Sequence, residues 1–451
     1  FFRAERWPGQ LLEWSMRHED TRLQLFRFVD VLPTLDDPED VVRHLKEYFE
    51  GKPDPFGGLM KAGLSVAGMG KLGARATAGT LRKGVEQVAR SFIAGTDTEE
   101  VSKVVEGFHK QGLAFTVDVL GEATLSETEA DDYQRRYLEL LETLSEHAPR
   151  WPKNELVDEA PWGPLPRVNV SVKLTSLYSQ LDPIAPDASY RALMERLRPI
   201  LRLAKEKGAH IQIDMEDYSL QDLTFDIFRR IGEDPEFKDY PNLGIVLQAY
   251  LRSAEEDARK LIEWAKGRGT PVKVRLVKGA YWDYETVHAR LEGWPVPVWE
   301  RKYETDASYE RVTKLFLENH DAVRLAVASH NIRSIAHAMA LSEAMGLPPR
   351  SVEFQVLYGM ATPLRRALVD MGQRVRVYTP YGELIPGMAY LVRRLLENTS
   401  NQSFLRQGFA EGESPEKLLR NPAAVAGEAQ DRTRQAAEAA PGDRRRNAAD
   451  A

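Results

Sequence analysis

The sequence predicts an α/β protein, a (β/α)8 barrel of the TIM type that is preceded by a helical arm. Short apolar segments, many of them β-branched, alternate with amphipathic helical segments through residues 106–408. Eight such alternations are the number that this barrel requires. Before them, residues 1–105 carry apolar positions at mixed three- and four-residue spacing, which is typical of helices.

The predicted strands are the short apolar runs of this region: 114–120, 168–172, 210–213, 244–248, 272–277, 325–329, 352–356 and 375–378. Longer amphipathic segments lie between them, among them 188–207, 254–268, 309–319 and 334–345. An open, doubly wound sheet is the alternative. That fold commonly carries G-x-G-x-x-G after its first strand, whereas Gly121 is followed here by Glu122 and Ala123, so the barrel is preferred.

Two further segments complete the expected organisation. The helical arm contains a glycine-rich stretch at 64–75 with the dipeptide Gly70-Lys71. A phosphate-binding loop needs Ser or Thr after the lysine, and Leu72 stands there, so this stretch is predicted to be a helix with small residues at packing positions. Residues 409–451 turn polar and contain few residues to bury, which predicts a linker or a disordered tail.

The composition excludes several classes of protein. The chain has 451 residues, 43% hydrophobic and 29% charged, as in an ordinary soluble protein. Its net charge of −7 argues against a general nucleic-acid binder. It has no cysteine, so disulfides and thiol catalysis are excluded, and this absence fits a cytoplasmic protein. Because the chain begins with Phe1, we expect it to be a piece of a longer protein.

Polar side chains stand at or directly after the end of every predicted strand. The carboxyl ends of barrel strands meet at one mouth, where barrel enzymes carry their chemistry. Such convergence favours an enzyme over an inert scaffold. No tight metal-ligand spacing joins the carboxylates to the histidine, so no metal site is predicted. The strand-end residues are Asp118, Glu122, Lys173, Asp214, Glu216, Gln248, Arg275, Lys278, His330, Asn331, Gln355 and Tyr378.

A helix near the end of the ordered chain is predicted from the apolar spacing of residues 390–398. Its polar face carries Tyr390, Arg393, Arg394 and Glu397. Two adjacent guanidiniums suit a carboxylate, because each offers a planar fork of donors. The alternative is a solvated helix face with an ion pair to Glu397.

Several segments of the chain, in this order, carry a resemblance to a known family. They are NVSVKLTSL (169–177), GIVLQAY (244–250), VRLVKGAYWD (274–283), SHN (329–331), FQVLYGM (354–360) and YLVRRLLEN (390–398). Together they resemble the proline dehydrogenase domain of the bacterial bifunctional proline utilisation flavoenzymes, from the N-terminal helices to about residue 408. The resemblance implies a distorted barrel that holds FAD at its mouth. It also implies oxidation of L-proline to Δ1-pyrroline-5-carboxylate by hydride transfer to the flavin N5, in the catabolism of proline to glutamate.

The resemblance also implies roles for individual residues. Asp214 would interact with Lys173 or Arg394, and Glu122 would pair with Arg393 to gate the site, with Glu397 on the same helix face. The proline carboxylate would be bound by Lys173, Arg393 and Arg394, and its ring surrounded by Leu357 and Tyr378. FAD would be contacted by Gln248, Arg275, Lys278, Gly279, Tyr281, Trp282 and His330, with Arg301 and Lys302 near its phosphate and ribose. Structural ion pairs at the barrel rim and a structural histidine are the alternatives.

The expected partners follow from the same resemblance. Quinone would be the electron acceptor, which implies peripheral contact with the inner face of the cell membrane, and no nucleic acid is expected. Full-length relatives continue into an NAD-using aldehyde dehydrogenase domain; this chain has no NAD fingerprint and no catalytic cysteine, so that activity is expected to be absent. Two rival hypotheses remain: a barrel that binds a carboxylated metabolite without catalysis, and a metal-dependent lyase or aldolase that uses Lys173 as a Schiff-base amine.

Overall fold

The computed structural model describes residues 24, 27–28, 31–49, 71–121, 123–383 and 414–428. Before the barrel, three helices are described: α1 (Pro38–Phe49), α2 (Lys71–Ala89) and α3 (Thr98–Lys110). Helix α1 forms because Val41, Val42, Leu45 and Phe49 share one buried face at helical spacing. It packs against α2, which includes the described part of the predicted glycine-rich helix.

Eight parallel strands close into a barrel, so the predicted fold class is confirmed. The strands pair in chain order around the barrel, and the last pairs back onto the first. They are β1 (Leu113–Val119), β2 (Asn169–Val172), β3 (His210–Ile213), β4 (Leu243–Gln248), β5 (Val272–Val277), β6 (Val323–Ala328), β7 (Glu353–Leu357) and β8 (Arg374–Tyr381).

The strand boundaries match the prediction within two residues, except at the end of β8. The prediction ended this strand at Tyr378, two residues before Pro380, and a proline cannot donate a backbone hydrogen bond. In the structure the strand continues through Pro380 to Tyr381, paired in register with β1. Proline is tolerated there because β7 pairs with β8 only as far as Tyr378, so no described strand on that side needs a donor at position 380. The Pro380 carbonyl accepts from the Ala94 N–H at 2.8 Å.

Helices cover the outside of the barrel. The predicted segments 188–207, 254–268, 309–319 and 334–345 correspond to α5 (Pro186–Lys207), α7 (Ala254–Arg268), α9 (Lys302–Glu318) and α10 (Ile332–Ala344). Helix α9 begins seven residues earlier than predicted, where the Glu304 carboxylate accepts from the Arg301 N–H at 3.1 Å and caps the first turn. The helices are α4 (Glu127–His147), α5 (Pro186–Lys207), α6 (Gln221–Glu233), α7 (Ala254–Arg268), α8 (Trp282–Glu292), α9 (Lys302–Glu318), α10 (Ile332–Ala344) and α11 (Thr362–Asp370).

The side chains that point into the barrel are polar, whereas those on the outer face of its strands, beneath the helices, are apolar. Outward residues such as Val170 and Ile211 are fully buried beneath the helices. Inward side chains bond across the interior between strands that are not neighbours: Lys273 on β5 contacts Glu353 on β7 at 2.8 Å. Branched aliphatic residues usually fill such a barrel. Buried charges instead need partners in good geometry, so this interior fixes side chains by specific hydrogen bonds.

A short ribbon lies at the end of the barrel where the strands begin. It consists of two antiparallel two-residue strands, Glu159–Ala160 and Gly163–Pro164, and places Trp162 against the guanidiniums of Arg324 and Arg374. Within the predicted tail, residues 414–428 are described and include a helical turn at Pro415–Leu418. Among the helices described, none combines the length and apolar character that a bilayer crossing requires.

Candidate active site at the barrel mouth

Lys173 directly follows β2 at the mouth, and its ammonium forms an ion pair with the carboxylate of Asp118 on the neighbouring strand β1. The lysine side chain is 16% exposed and the aspartate 2%. Burial alone would lower the pKa of Lys173, but Asp118 and, at longer range, Asp214 outweigh it and raise the pKa above its usual value. The ammonium is therefore charged, which suits carboxylate binding and makes it a poor Schiff-base nucleophile.

Asp214, directly after β3, holds two partners through its two carboxylate oxygens. The Tyr378 hydroxyl donates to Oδ2 at 3.0 Å, and the Arg275 guanidinium donates to Oδ1 at 2.5 Å. The guanidinium also lies over the Tyr378 ring, 5.1 Å from its centroid. The family resemblance implied that Asp214 would interact with Lys173 or Arg394. Within the described residues its direct bonds go to Arg275 and Tyr378, and Asp118 is the direct partner of Lys173.

Arg275 is one of the most constrained side chains at the mouth. Besides Asp214, its guanidinium donates to Gln355 Oε1 at 2.7 Å and to Ser171 Oγ at 3.0 Å. The residue is 4% exposed. Since these three partners come from three different strands or strand ends, Arg275 ties them together across the mouth. Any contact that it makes with a ligand must use the small part of it that faces the opening.

Gln248, the last residue of β4, presents a free acceptor at the mouth. Its Nε2 donates to the backbone carbonyl of Glu216 at 3.0 Å. Its Oε1 is buried and has no hydrogen-bond partner within the described part of the chain. A buried carbonyl oxygen without a donor indicates a missing partner, and the imide N–H of a flavin ring is a donor of the right kind.

Glu216 fixes the loop that follows Lys173. Its carboxylate accepts from the Thr175 hydroxyl at 2.6 Å and from the Thr175 N–H at 3.3 Å. Burial raises the pKa of Glu216. From the sequence, Glu216 was predicted to lie at a strand end, with no role assigned to it. Its bonds show that it joins the loops after β2 and β3, and so supports the backbone next to Lys173.

A second group of cations lies on the side of the mouth after β5. The Asp306 carboxylate on α9 pairs with Lys278, which follows β5, and with Lys302 at 2.9 Å. Burial lowers the pKa of Lys278 although Asp306 raises it. Two lysines thus share one carboxylate, the exposed Arg301 directly precedes Lys302 in the chain, and such an excess of positive charge suits a phosphate. Asp306 is not among the residues predicted from the sequence. The one feature of the sequence that points to it is its i,i+4 spacing from Lys302, which allows an ion pair on a helix.

Backbone geometry requires a glycine at position 279, beside these lysines. Gly279 has φ of +142°, and a Cβ there would lie 2.4 Å from the ring of Tyr250. Tyr281 precedes helix α8, and Trp282 is its first residue. The Trp282 side chain is 39% exposed and donates from Nε1 to the Trp299 carbonyl at 2.8 Å. Two aromatic rings thus stand beside the cation group.

His330 and Leu357 link the loop after β6 to the end of β7. The Leu357 N–H donates to His330 Nε2 at 3.1 Å, which agrees with the alternative of a structural histidine. Leu357 is paired in register with Tyr378 on the adjacent strand, so the two side chains face the same way. Leu357 and Tyr378 are the apolar and the aromatic residue that the family resemblance assigns to one pocket, and they lie side by side here.

Four predicted site residues, Glu122, Arg393, Arg394 and Glu397, lie outside the described residues, so their assignments stay predictions. In the ranges that the structure describes, no three His, Asp or Glu side chains stand close enough together to hold a metal ion. The remaining predicted residues lie at or beside the barrel mouth, on or directly after the barrel strands or on the loops and helices that follow them.

Comparisons with known proteins give the following similarities. Residues 101–407 match the family described as proline dehydrogenase, and residues 1–92 match the proline utilization A N-terminal domain. Proline dehydrogenase 1 of Bacillus subtilis is 32% identical over 71% of this chain and 90% of its own length. The bifunctional protein PutA of Escherichia coli is 29% identical over 72% of this chain.

Solved structures give the same picture. The crystal structure of proline utilization A from Bdellovibrio bacteriovorus inactivated by N-propargylglycine has a TM-score of 0.85 and 48% sequence identity, over 92% of this chain and 41% of that chain. The chain spans about a quarter of the length of the bifunctional curated relatives, 25% of the Escherichia coli protein.

Proposed function

Since this chain belongs to the proline dehydrogenase family, we propose that it oxidises L-proline to Δ1-pyrroline-5-carboxylate with FAD as cofactor, in the catabolism of proline to glutamate. One observation carries the proposal: a charged, largely buried ammonium, Lys173, lies at the barrel mouth. At the same mouth stands the bonded group of Asp214, Tyr378 and Arg275. This pairing of a fixed cation with a rigid polar wall suits a small zwitterion.

Substrate binding would use both halves of the proline molecule. Its carboxylate needs fixed positive charge, which Lys173 supplies, together with Arg393 and Arg394 from the predicted helix. Its ring needs apolar contact, which Leu357 and Tyr378 supply from adjacent strands. Asp214 accepts a hydrogen bond from the Tyr378 hydroxyl. In the same proposal Glu122 pairs with Arg393 as a gate, and Glu397 supports the arginines from the next turn.

FAD fits the donors and acceptors at the other side of the mouth. The unpartnered Oε1 of Gln248 would accept from the flavin ring, and Arg275 and His330 would lie beside it. Lys278, Lys302 and Arg301 would hold its phosphates and ribose, with Gly279, Tyr281 and Trp282 along its length. When bound, the flavin supplies N5 as the acceptor for the hydride from carbon 5 of proline. The protein orients that carbon–hydrogen bond and excludes water.

Reoxidation would require a second acceptor. On family grounds we propose a quinone, reached by peripheral contact with the inner face of the cell membrane. The longer relatives are named bifunctional, and on family grounds we propose that their second, NAD-using activity lies in the part that this chain does not span. This chain is therefore expected to reduce an artificial dye with proline and to form no NADH.

A dye-linked assay tests the proposal. We expect proline-dependent dye reduction by the wild-type chain. Lys173→Met should raise KM for proline about ten- to a hundredfold, which corresponds to one charge-assisted hydrogen bond of about 1.5–3 kcal/mol, while FAD content stays normal. Lys153→Met, at an exposed lysine that pairs with Glu159 on the surface, is the matched control and should leave KM unchanged. Proline binding without dye reduction would favour the non-catalytic carboxylate-binding barrel.

A further inference from the structure

A continuous series of hydrogen bonds runs through the barrel interior from the mouth towards the base. At the mouth, Tyr378 and Arg275 both donate to Asp214, at 3.0 and 2.5 Å. Deeper in the barrel, Arg275 Nε donates to Gln355 Oε1 at 2.7 Å. Gln355 Nε2 then donates to Glu353 Oε1 at 2.8 Å. Within the part of the chain that the structure describes, Gln355 is therefore the link in this series between the mouth and the interior charge cluster.

The charge of its two neighbours dictates how the Gln355 amide is oriented. An arginine can only donate hydrogen bonds, and an ionised carboxylate can only accept them. The amide must therefore turn its oxygen to Arg275 and its NH2 to Glu353. Burial alone would raise the pKa of Glu353, but Arg376 and Lys273 outweigh it and hold the pKa well below its usual value. The carboxylate thus stays ionised, and the amide has one orientation.

Glu353 is itself held firmly in the interior. Arg376 donates to both of its oxygens, at 2.7 and 2.9 Å, and Lys273 donates to Oε2 at 2.8 Å. Both Glu353 and Gln355 are buried, 1% and 4% exposed. An anchor with several charged partners in a buried site has little freedom to move, so it can fix the position of the groups that are bonded to it.

We propose that Gln355, oriented by Glu353, is a positioning residue that fixes the Arg275 guanidinium. Through Arg275 it would fix the Asp214 carboxylate and the Tyr378 hydroxyl at the mouth. The kinetic consequence of this inference rests on the proposed function; its structural consequence does not. Small displacements of groups around a reacting centre lower rates strongly, so the amide should matter for turnover although it lies beneath the mouth.

The test substitutes the amide with a side chain of similar length that can neither donate nor accept. Gln355→Met should displace the Arg275 guanidinium from its bonds with Asp214 and Ser171 in a crystal structure. It should lower kcat about tenfold to a hundredfold, by the sensitivity of rates to misplacement. It should also shift the flavin absorption spectrum, because Arg275 lies beside the proposed flavin position. Gln355→Glu keeps the acceptor for Arg275 but loses the donor to Glu353, so its kcat should fall between those of wild type and Gln355→Met.

Gln212→Met is the matched control. Gln212 is a buried glutamine, 1% exposed, on β3 in the layer of Gly244 and Lys273 rather than in that of Arg275. Its Nε2 has no partner within the described ranges, so the substitution removes only its bond with His210. It should change melting temperature as much as Gln355→Met does or less, with Arg275 in place and kcat unchanged.

Three results would overturn the inference. One is an unmoved Arg275 in the Gln355→Met structure; another is wild-type kcat and spectrum in that variant; the third is an equal loss of kcat in the Gln212→Met control. If Gln355→Met does not fold, Gln355→Glu decides by the same readouts. Should the wild-type chain itself fail to oxidise proline, the proposed function fails, and the position of Arg275 in the variant structure still decides this inference.

Discussion

The ammonium of Lys173 and the carboxylate of Asp118 form an ion pair across the ends of the first two barrel strands. Asp118→Asn removes the nearest charge that raises the pKa of Lys173 and leaves burial, which lowers it, opposed by Asp214 at longer range. The lysine should then lose its proton at a lower pH than in the wild type. We predict that kcat/KM for proline falls at a lower pH in the variant than in the wild type, because the pKa of Lys173 drops once Asp118 no longer raises it.

Stability should fall as well, because the variant leaves a buried ammonium without its partner, at a cost of about 3–5 kcal/mol. Asp131→Asn is the control. It removes the carboxylate of an exposed pair with Arg196, in which the aspartate is 65% exposed. It should change neither the pH profile nor the stability appreciably. Parallel pH profiles for wild type and Asp118→Asn would show that this ion pair does not set the charge of Lys173.

Asp306 is predicted to control cofactor content through the two lysines that it joins. Burial lowers the pKa of Lys278, and Asp306 opposes this. In Asp306→Asn the pKa of Lys278 should fall further, so that a cation proposed for the cofactor phosphates is lost. We expect the purified variant to carry less FAD per chain than the wild type, with a deficit that grows as pH rises. Absorbance of the released flavin against protein concentration measures it.

Glu318→Gln provides the comparison for that experiment. It removes a carboxylate from the far end of the same helix, α9, where the glutamate is 44% exposed and lies 3.8 Å from Lys314. It should leave FAD content unchanged. A full FAD complement in Asp306→Asn would place Lys278 and Lys302 outside the cofactor site.

Lys273 in the barrel interior is predicted to make stability depend on pH. Burial lowers its pKa to about 7, with Arg376 and Arg374 adding to this effect and Glu353 opposing it. Between pH 7 and the ordinary lysine value, the unfolded chain holds a proton that the folded chain has lost, so stability rises with pH. Relative to Lys273→Met, the free energy of unfolding of the wild type should rise by about 1 kcal/mol per pH unit.

Urea denaturation of both proteins at several pH values between 7 and 10 measures this difference, in which the other titrating groups cancel. Lys153→Met, at an exposed lysine, should keep a slope close to that of the wild type. If the free energy of unfolding changed with pH in the same way for wild type and Lys273→Met, Lys273 would be titrating at an ordinary pKa in the folded chain.

Much of the fold followed from local sequence patterns. Eight β-branched runs set the strands, and the periodicity of segments such as 254–268 matched helix α7 from end to end. Local pattern misplaced the end of β8, because pairing with β1 along the whole strand outweighs the lost donor of Pro380. It misplaced the start of α9, because a capping interaction extends that helix over residues without clear periodicity.

The sequence predicted which residues meet at the barrel mouth, but only partly which of them contact each other. Strand ends converge by topology, so Lys173, Asp214 and Tyr378 were identified from their positions alone. Which carboxylate pairs with which cation depends on side-chain reach across the barrel, and spacing along the chain does not encode it. The partners of Arg275, for instance, are 61, 80 and 104 residues away in sequence. The interior cluster at Glu353 was missed for the same reason.

Arg394 is predicted from the sequence to bind the proline carboxylate. Loss of one guanidinium fork removes a contact made in both the ground and the transition state, which appears mainly as weaker binding. We expect Arg394→Met to raise KM for proline about ten- to a hundredfold with normal FAD content. Arg394→Lys should recover part of this loss, since it keeps the charge without the fork. A surface ion pair with Glu397 predicts instead unchanged kinetics and a stability change below about 1 kcal/mol.

An anaerobic titration tests the central claim most directly. The wild-type chain, purified with FAD or reconstituted with it, is mixed with L-proline in the absence of oxygen and followed by its flavin absorbance. We predict that the protein is yellow and that proline bleaches it in a saturable manner, while Lys173→Met needs about ten- to a hundredfold more proline for half-maximal bleaching. A chain that cannot hold FAD, or whose bound flavin keeps its colour at saturating proline, would contradict the assignment of this barrel as a proline dehydrogenase.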